Sequence, residues 1–158
     1  MEKRKSNRLK DYDYSSNGSY FITICTKDHA KILSQIVGAN CVRPKLSKIG
    51  EVVENEITKL SNIYDNVSVN CYVIMPNHIH MIILIQKEGR TQFAPTISRI
   101  IKQFKGTITK QAGFSPWQKS FHDHIIRNEK NFITISEYIK NNPINWKNDC
   151  FYNSNNSN

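Results

Sequence analysis

The sequence predicts an α+β fold in which a four-stranded antiparallel sheet carries helices on one face. Three observations lead there. The 158 residues suffice for one domain with a real core. Runs of β-branched and aromatic residues alternate with runs of helical periodicity, in the order strand, helix, hairpin, helix, strand, helix. The two most apolar strands are joined so tightly, at Pro76-Asn77, that they must run antiparallel.

Residues 1–16 are polar and basic and read as a mobile arm, and Asn17-Gly18 is a turn signal. Tyr20 to Thr26, YFITICT, is a first strand by its β-branched and aromatic content. Residues 27–45, which include Gly38 and Pro44, are expected to be irregular. Ser47 can cap a helix in which Ile49, Val52, Val53, Glu56, Ile57 and Leu60 share helical spacing, ending near Ser61-Asn62. Gly50 is a weak point near its start. Val67 to Met75 and His78 to Gln86 form the hairpin.

Lys87 to Pro95 is a loop. Pro95 or Thr96 opens a second helix to about Gln111, with Ile97, Ile100, Ile101, Phe104 and Ile108 as its buried stripe. Trp117 lies in the loop that follows, and Phe121 to Arg127, FHDHIIR, is a fourth strand. Asn128 caps a third helix that Pro143 stops near Asn141 or Asn142. Residues 150–158 are expected to be a disordered tail, which leaves 17–149 as the single domain. With the hairpin at the centre, this order is that of a ferredoxin-like sandwich, to which the third helix is an addition.

Composition narrows the function. Lys+Arg is 22 against Asp+Glu 13, a formal charge of +9, and this favours an anionic partner, nucleic acid before membrane surface. No apolar run approaches the ~20 residues of a spanning helix, so no membrane role is expected. The four scattered cysteines, without a CxxC pair, suit reduced thiols in the cytoplasm better than a disulfide frame or a zinc knuckle.

The chemistry concentrates in Cys71 to Ile85, CYVIMPNHIHMIILI. His78 and His80 are two apart on a strand, so they point to one face, roughly 6–7 Å apart at the backbone, and two such imidazoles can chelate one metal ion. A single histidine in an apolar strand is usually just a hydrogen-bonded core residue; two at this spacing would both need buried partners. On the third helix, Tyr138 and Asn142 are four apart and share a face with Ile135 and Ile139. Alone, Tyr138 reads as a core tyrosine and Asn142 as a helix C-cap. Together they would supply a nucleophile and a neutral oxygen ligand to the histidine strand. Arg99, Lys102, Lys105 and Lys110 lie largely off the buried stripe of the second helix, either as a solvated face or as phosphate contacts. Tyr12, Tyr14, Phe93 and Trp117 could stack on unpaired bases or simply pack.

These segments resemble those of the single-tyrosine HUH transposases, in which two histidines flank an apolar residue. PNHIHMIILI is similar to the HUH motif, and SEYIKNNPINW to the tyrosine helix of the REP-associated branch. NGSYFITICTKDH is similar to that branch's first strand, and WQKSFHDHIIRN to the segment leading into the tyrosine helix. The matches run from about Asn17 to Trp146 in family order. The resemblance implies His78 and His80 as metal ligands, Tyr138 as nucleophile and Asn142 at the third-ligand position, which is glutamine in some relatives. It implies a divalent ion, Mg²⁺ or Mn²⁺, and cleavage and rejoining of single-stranded DNA beside a REP-like hairpin through a 5′-phosphotyrosine link. It favours a monomer acting in the cytoplasm at the nucleoid, with a dimer still open. Arg99, Lys102, Lys105, Arg127 and His124 are expected at the DNA, His124 alternatively as a proton acceptor. One departure is the short stretch after the tyrosine helix. Two other functions stay open: a non-catalytic module that binds hairpin or single-stranded nucleic acid, and a metal-dependent hydrolase with an activated water.

Overall fold

The computed structural model describes residues 18–86 and 95–152. The expected basic arm, Tyr12, Tyr14, Phe93 and the last six residues of the tail lie outside them. Six strands and three α-helices follow in order: β1 (Gly18–Cys25), β2 (Ser34–Gln35), β3 (Lys45–Leu46), α1 (Lys48–Ile63), β4 (Val67–Ile74), β5 (His78–Ile85), α2 (Ile97–Ala112), β6 (His122–Ile126) and α3 (Glu129–Asn141). The main sheet has the order β4-β5-β1-β6 and is antiparallel throughout. This is the ferredoxin-like arrangement the element order predicts. The segment expected to be irregular also pairs, β2 with β3, as a small second sheet.

The caps are the ones the sequence signals. Ser47, Thr96 and Asn128 each accept a hydrogen bond from the backbone N–H three residues on. Gly113, at φ 81°, closes α2 in the left-handed conformation glycine favours. Gly50 is not a weak point but a requirement. A Cβ there would lie 2.1 Å from the Leu33 carbonyl oxygen, so the start of α1 can rest on the 33–34 backbone only without a side chain.

Alternation along β5 splits the interior in two. Ile79, Met81, Ile83 and Ile85 join α1 and α2 in one core, with Tyr20, Ile22 and Ile24 from β1. Ile82 and Leu84 face the other way, onto Ile135 and Ile139 of α3. The two helices of the simple fold therefore cover one face, and the added tyrosine-bearing helix covers the opposite one. A bulge at Asn70 lets β4 serve both cores: Val69 pairs with Ile83, yet Cys71 pairs with Ile82, so the apolar phase of β4 changes face midway.

Candidate metal and tyrosine site

His78 and His80 both lie on the α3 side of the sheet, as their spacing requires. Their ring centroids are 4.5 Å apart and both residues are buried. The turn before them is pinned: Leu33 N–H donates to the Pro76 carbonyl and Thr26 N–H to that of Asn77, each at 3.0 Å. Asn77 is fully buried and fixes one ring. Its Nδ2 donates to the Phe151 carbonyl at 2.8 Å, so its Oδ1 is left to accept from His78 Nδ1–H, also at 2.8 Å. In β1, Thr23 Oγ1 lies 2.8 Å from His80 Nδ1 and holds the second ring. Both Nε2 atoms are thereby turned inward.

α3 brings the partners. Tyr138 stands with its ring 5.4 Å from that of His80 and edge-on to Phe21 at 6.2 Å; the residue is 44% exposed, and its hydroxyl is within reach of the Asn142 side chain. Asn142 is buried at the helix end, where its backbone N–H still bonds to the Ile139 carbonyl, so it is both the cap residue and part of the cluster. His78 Nε2, His80 Nε2 and Asn142 Oδ1 are all buried without a hydrogen-bond partner. Each such orphan costs about 1–3 kcal/mol, a cost that a bound cation would offset. Two lone-pair nitrogens and an amide oxygen suit a divalent ion.

Electrostatics agree with ligand chemistry. Burial pushes His78 down to about 4, against the raising pull of the Asp149 carboxylate and the Asn142 amide. Burial, then His78 itself, drives His80 well below the usual imidazole range. Both rings are neutral at pH 7 and free to bind metal without first losing a proton. For Tyr138, burial raises the phenol, Asp149 and Cys150 raise it further, and Asn142 lowers it.

Sequence reasoning missed Asp149. After α3 the chain makes a short 3₁₀ turn, Trp146–Asn148, and doubles back over the histidines. The Asp149 side chain is 2% exposed, with Oδ2 4.0 Å from His78 Nε2 and accepting from Asn142 Nδ2 at 2.9 Å. Phe151 stacks on His78 with centroids 4.5 Å apart, and Tyr152 meets Trp146 edge-on at 5.3 Å. Residues 150–152, expected in the disordered tail, instead form the wall of the site. The one available signal was that Asp149 is the sole acid after Glu137.

The expected DNA contacts separate. His124 is exposed on the face that carries the histidines, opposite Phe21 across the β1–β6 pair, and Arg127 is exposed at the junction of β6 and α3. Arg99 and Lys102 are not brought to that face. The buried stripe of α2 packs on the other side of the sheet and turns them away from it. Lys105 donates to the backbone carbonyls of Gln118 at 2.6 Å and Ser120 at 3.2 Å, which ties down the loop before β6. Trp117 is buried against Phe104 and belongs to the core.

No family model matches the chain. Three relatives are informative. An uncharacterized Haemophilus influenzae protein is 36% identical over 170 residues, spanning 94% of this chain and 93% of its own length. A second Haemophilus influenzae protein, assigned as a REP-associated tyrosine transposase, is 24% identical over 84% of this chain and 73% of its own. The REP-associated tyrosine transposase of Escherichia coli K12 is 35% identical over 77 residues, 48% of this chain and 44% of that protein. The chain belongs to the REP-associated tyrosine transposases. Their fold is its fold: a REP-associated tyrosine transposase solved bound to a REP hairpin superposes with a TM-score of 0.66 over 88% of this chain and 74% of that one, at 21% identity. A transposase-type protein of Deinococcus radiodurans superposes at 0.51 over 85% and 95%, at 15% identity. Membership in the REP-associated tyrosine transposases supports a transposase role, that of a DNA-processing enzyme. Among the described residues no helix is long and apolar enough to cross a membrane.

Proposed function

We propose that the protein is a metal-dependent single-strand DNA endonuclease and strand transferase that acts beside hairpin DNA through a 5′-phosphotyrosine intermediate. The observation that carries this is the set of orphaned inward atoms, His78 Nε2, His80 Nε2 and Asn142 Oδ1, next to an exposed Tyr138. Those three residues would hold Mg²⁺ or Mn²⁺. When bound, the ion supplies Lewis-acid polarisation of a non-bridging phosphate oxygen.

The chain's own residues account for the rest. Tyr138 Oη forms a bond to phosphorus as the P–O3′ bond breaks. The phenolic proton leaves Oη and the departing 3′-oxygen gains one, so the step is proton-neutral overall. The link to Tyr138 keeps the energy of the phosphodiester for rejoining, which hydrolysis would discard. Phe21 and Phe151 flank the histidine pair and exclude water from its apolar side. His124 and Arg127 are the candidates for backbone contacts, and the charge of +9 suits a polyanion. A relative solved on a REP hairpin supports hairpin DNA as the substrate. The site is complete within one chain, which supports a monomer.

The test is covalent trapping. Full-length protein, Mn²⁺ and end-labelled single-stranded hairpin DNA from beside its gene are resolved on a denaturing gel. The expected result is a protein–DNA band that disappears in Tyr138→Phe and in His78→Ala with His80→Ala. Cleavage without such a band would favour a hydrolase. Binding with neither would favour a non-catalytic module.

A further inference from the structure

The metal reading above places an amide, Asn142, beside two imidazoles; the geometry offers one more donor. Asp149 Oδ1 accepts from Phe151 N–H at 2.8 Å, and Oδ2 accepts from Asn142 Nδ2 at 2.9 Å. Oδ2 lies 4.0 Å from His78 Nε2. The ligating atoms of His78, His80 and Asp149 all fall within 4.8 Å of one another. Donors about 2.1 Å from a shared ion sit roughly 3–4 Å apart, so the widest pair must close by about 1–2 Å to complete the shell. A carboxylate this buried is costly without a cation, and its hydrogen bonds from Asn142, Phe151 and the Cys150 thiol meet only part of that cost.

We propose that Asp149 is a direct metal ligand, so that the ion is held by two imidazoles and a carboxylate with the Asn142 amide alongside. This rests on the metal reading and extends it. A hard anionic donor raises the affinity for Mn²⁺ or Mg²⁺ over that of a neutral set. It also fastens residues 149–152, and with them Phe151, to the histidine strand whenever the ion is present.

The competing role for Asp149 is to orient Asn142 without touching the ion. Asp149→Asn keeps an oxygen for the Phe151 N–H but loses the acceptor for Asn142, so it is read against Asn142→Ala, which removes the residue to be oriented. With direct ligation Asp149→Asn still costs affinity in the Asn142→Ala background, and with orientation alone it does not. Mn²⁺ affinity is measured by calorimetry at pH 7 on the full chain and its Asp149→Asn, Asp149→Ala, Asn142→Ala, Asn142→Ala/Asp149→Asn and His78→Ala variants, with thermal melts as a folding check. The expected result is at least a tenfold loss in both Asp149 variants. A second readout is limited proteolysis near residues 147–152, which Mn²⁺ should slow in the parent chain and not in Asp149→Asn. Asp149→Asn binding like the parent overturns the proposal, whatever Asp149→Ala does. If His78→Ala also binds like the parent, the metal reading itself falls. Should Asp149→Ala not fold, Asp149→Asn decides.

Discussion

Thr23 holds His80 in place from the neighbouring strand. Its hydroxyl oxygen lies 2.8 Å from Nδ1, and Thr23 and His80 are direct cross-strand partners. A ligand ring tethered in this way keeps its tautomer and its aim. Thr23→Val keeps the shape of the side chain and removes the tether. The expected outcome is a Mn²⁺ affinity lower by about 10–100-fold with the fold intact, read by calorimetry alongside circular dichroism.

The buried histidines set a pH dependence for the metal-free protein. His78 sits at about 4 when folded and near 6.5 when unfolded, so the unfolded chain takes up a proton first as pH falls. His80 is shifted in the same direction. Their contribution to stability is therefore complete above pH 6.5 and is lost progressively between 6.5 and about 4. Urea midpoints measured across this range without metal should fall with pH, and His78→Gln should flatten the upper part of the slope. A parent curve already flat from pH 6.5 to 5 would contradict the assignment.

Two glycines in helices should respond to alanine in opposite directions. At Gly50 the new methyl meets the Leu33 carbonyl, and Gly50→Ala should destabilise by about 1–3 kcal/mol. At Gly106, inside α2, nothing lies within 4 Å of the new methyl, and Gly106→Ala should stabilise by about 0.5–1 kcal/mol. Denaturant melts of the two variants decide both signs.

α3 packs on its own sheet, so Tyr138 reaches the His80 of the same chain. Mixing Tyr138→Phe with His80→Ala should then restore no covalent trapping. An exchanged-helix dimer would instead recover activity in the mixture. Light scattering should return a mass near 18.3 kDa.

What could be read in the sequence was what is local. Helical periods, the caps at Ser47, Thr96 and Asn128, and the two-residue spacing of His78 and His80 are short-range patterns, and the structure reproduces them. Tyr138 and Asn142 were legible through their four-residue spacing and the family resemblance, and the structure gathers both beside the histidines. What escaped depends on where distant backbone arrives. Gly50 looks like a weakness until Leu33 is seen against it. Asp149 belongs to a polar stretch whose composition suggests disorder, and only the reversal at Trp146–Asn148 brings it over His78. That Arg99 and Lys102 lie away from the histidine face was hidden for a related reason: periodicity says which side of a helix is wet, not which layer of the sandwich that helix joins.

β5 is hemmed in from both sides, since alternate residues serve two different cores. The histidines are thus part of the masonry, whereas Tyr138 stands half in solvent on the outer helix. Mutational drift should register that asymmetry. In a lineage released from selection for DNA cleavage, the tyrosine can go with little harm to folding, while positions 78 and 80 must stay filled by side chains that fit between their neighbours. Descendants that no longer cut DNA should therefore trade the two imidazoles for apolar residues of similar volume, shedding the unpartnered nitrogens and keeping the bulk.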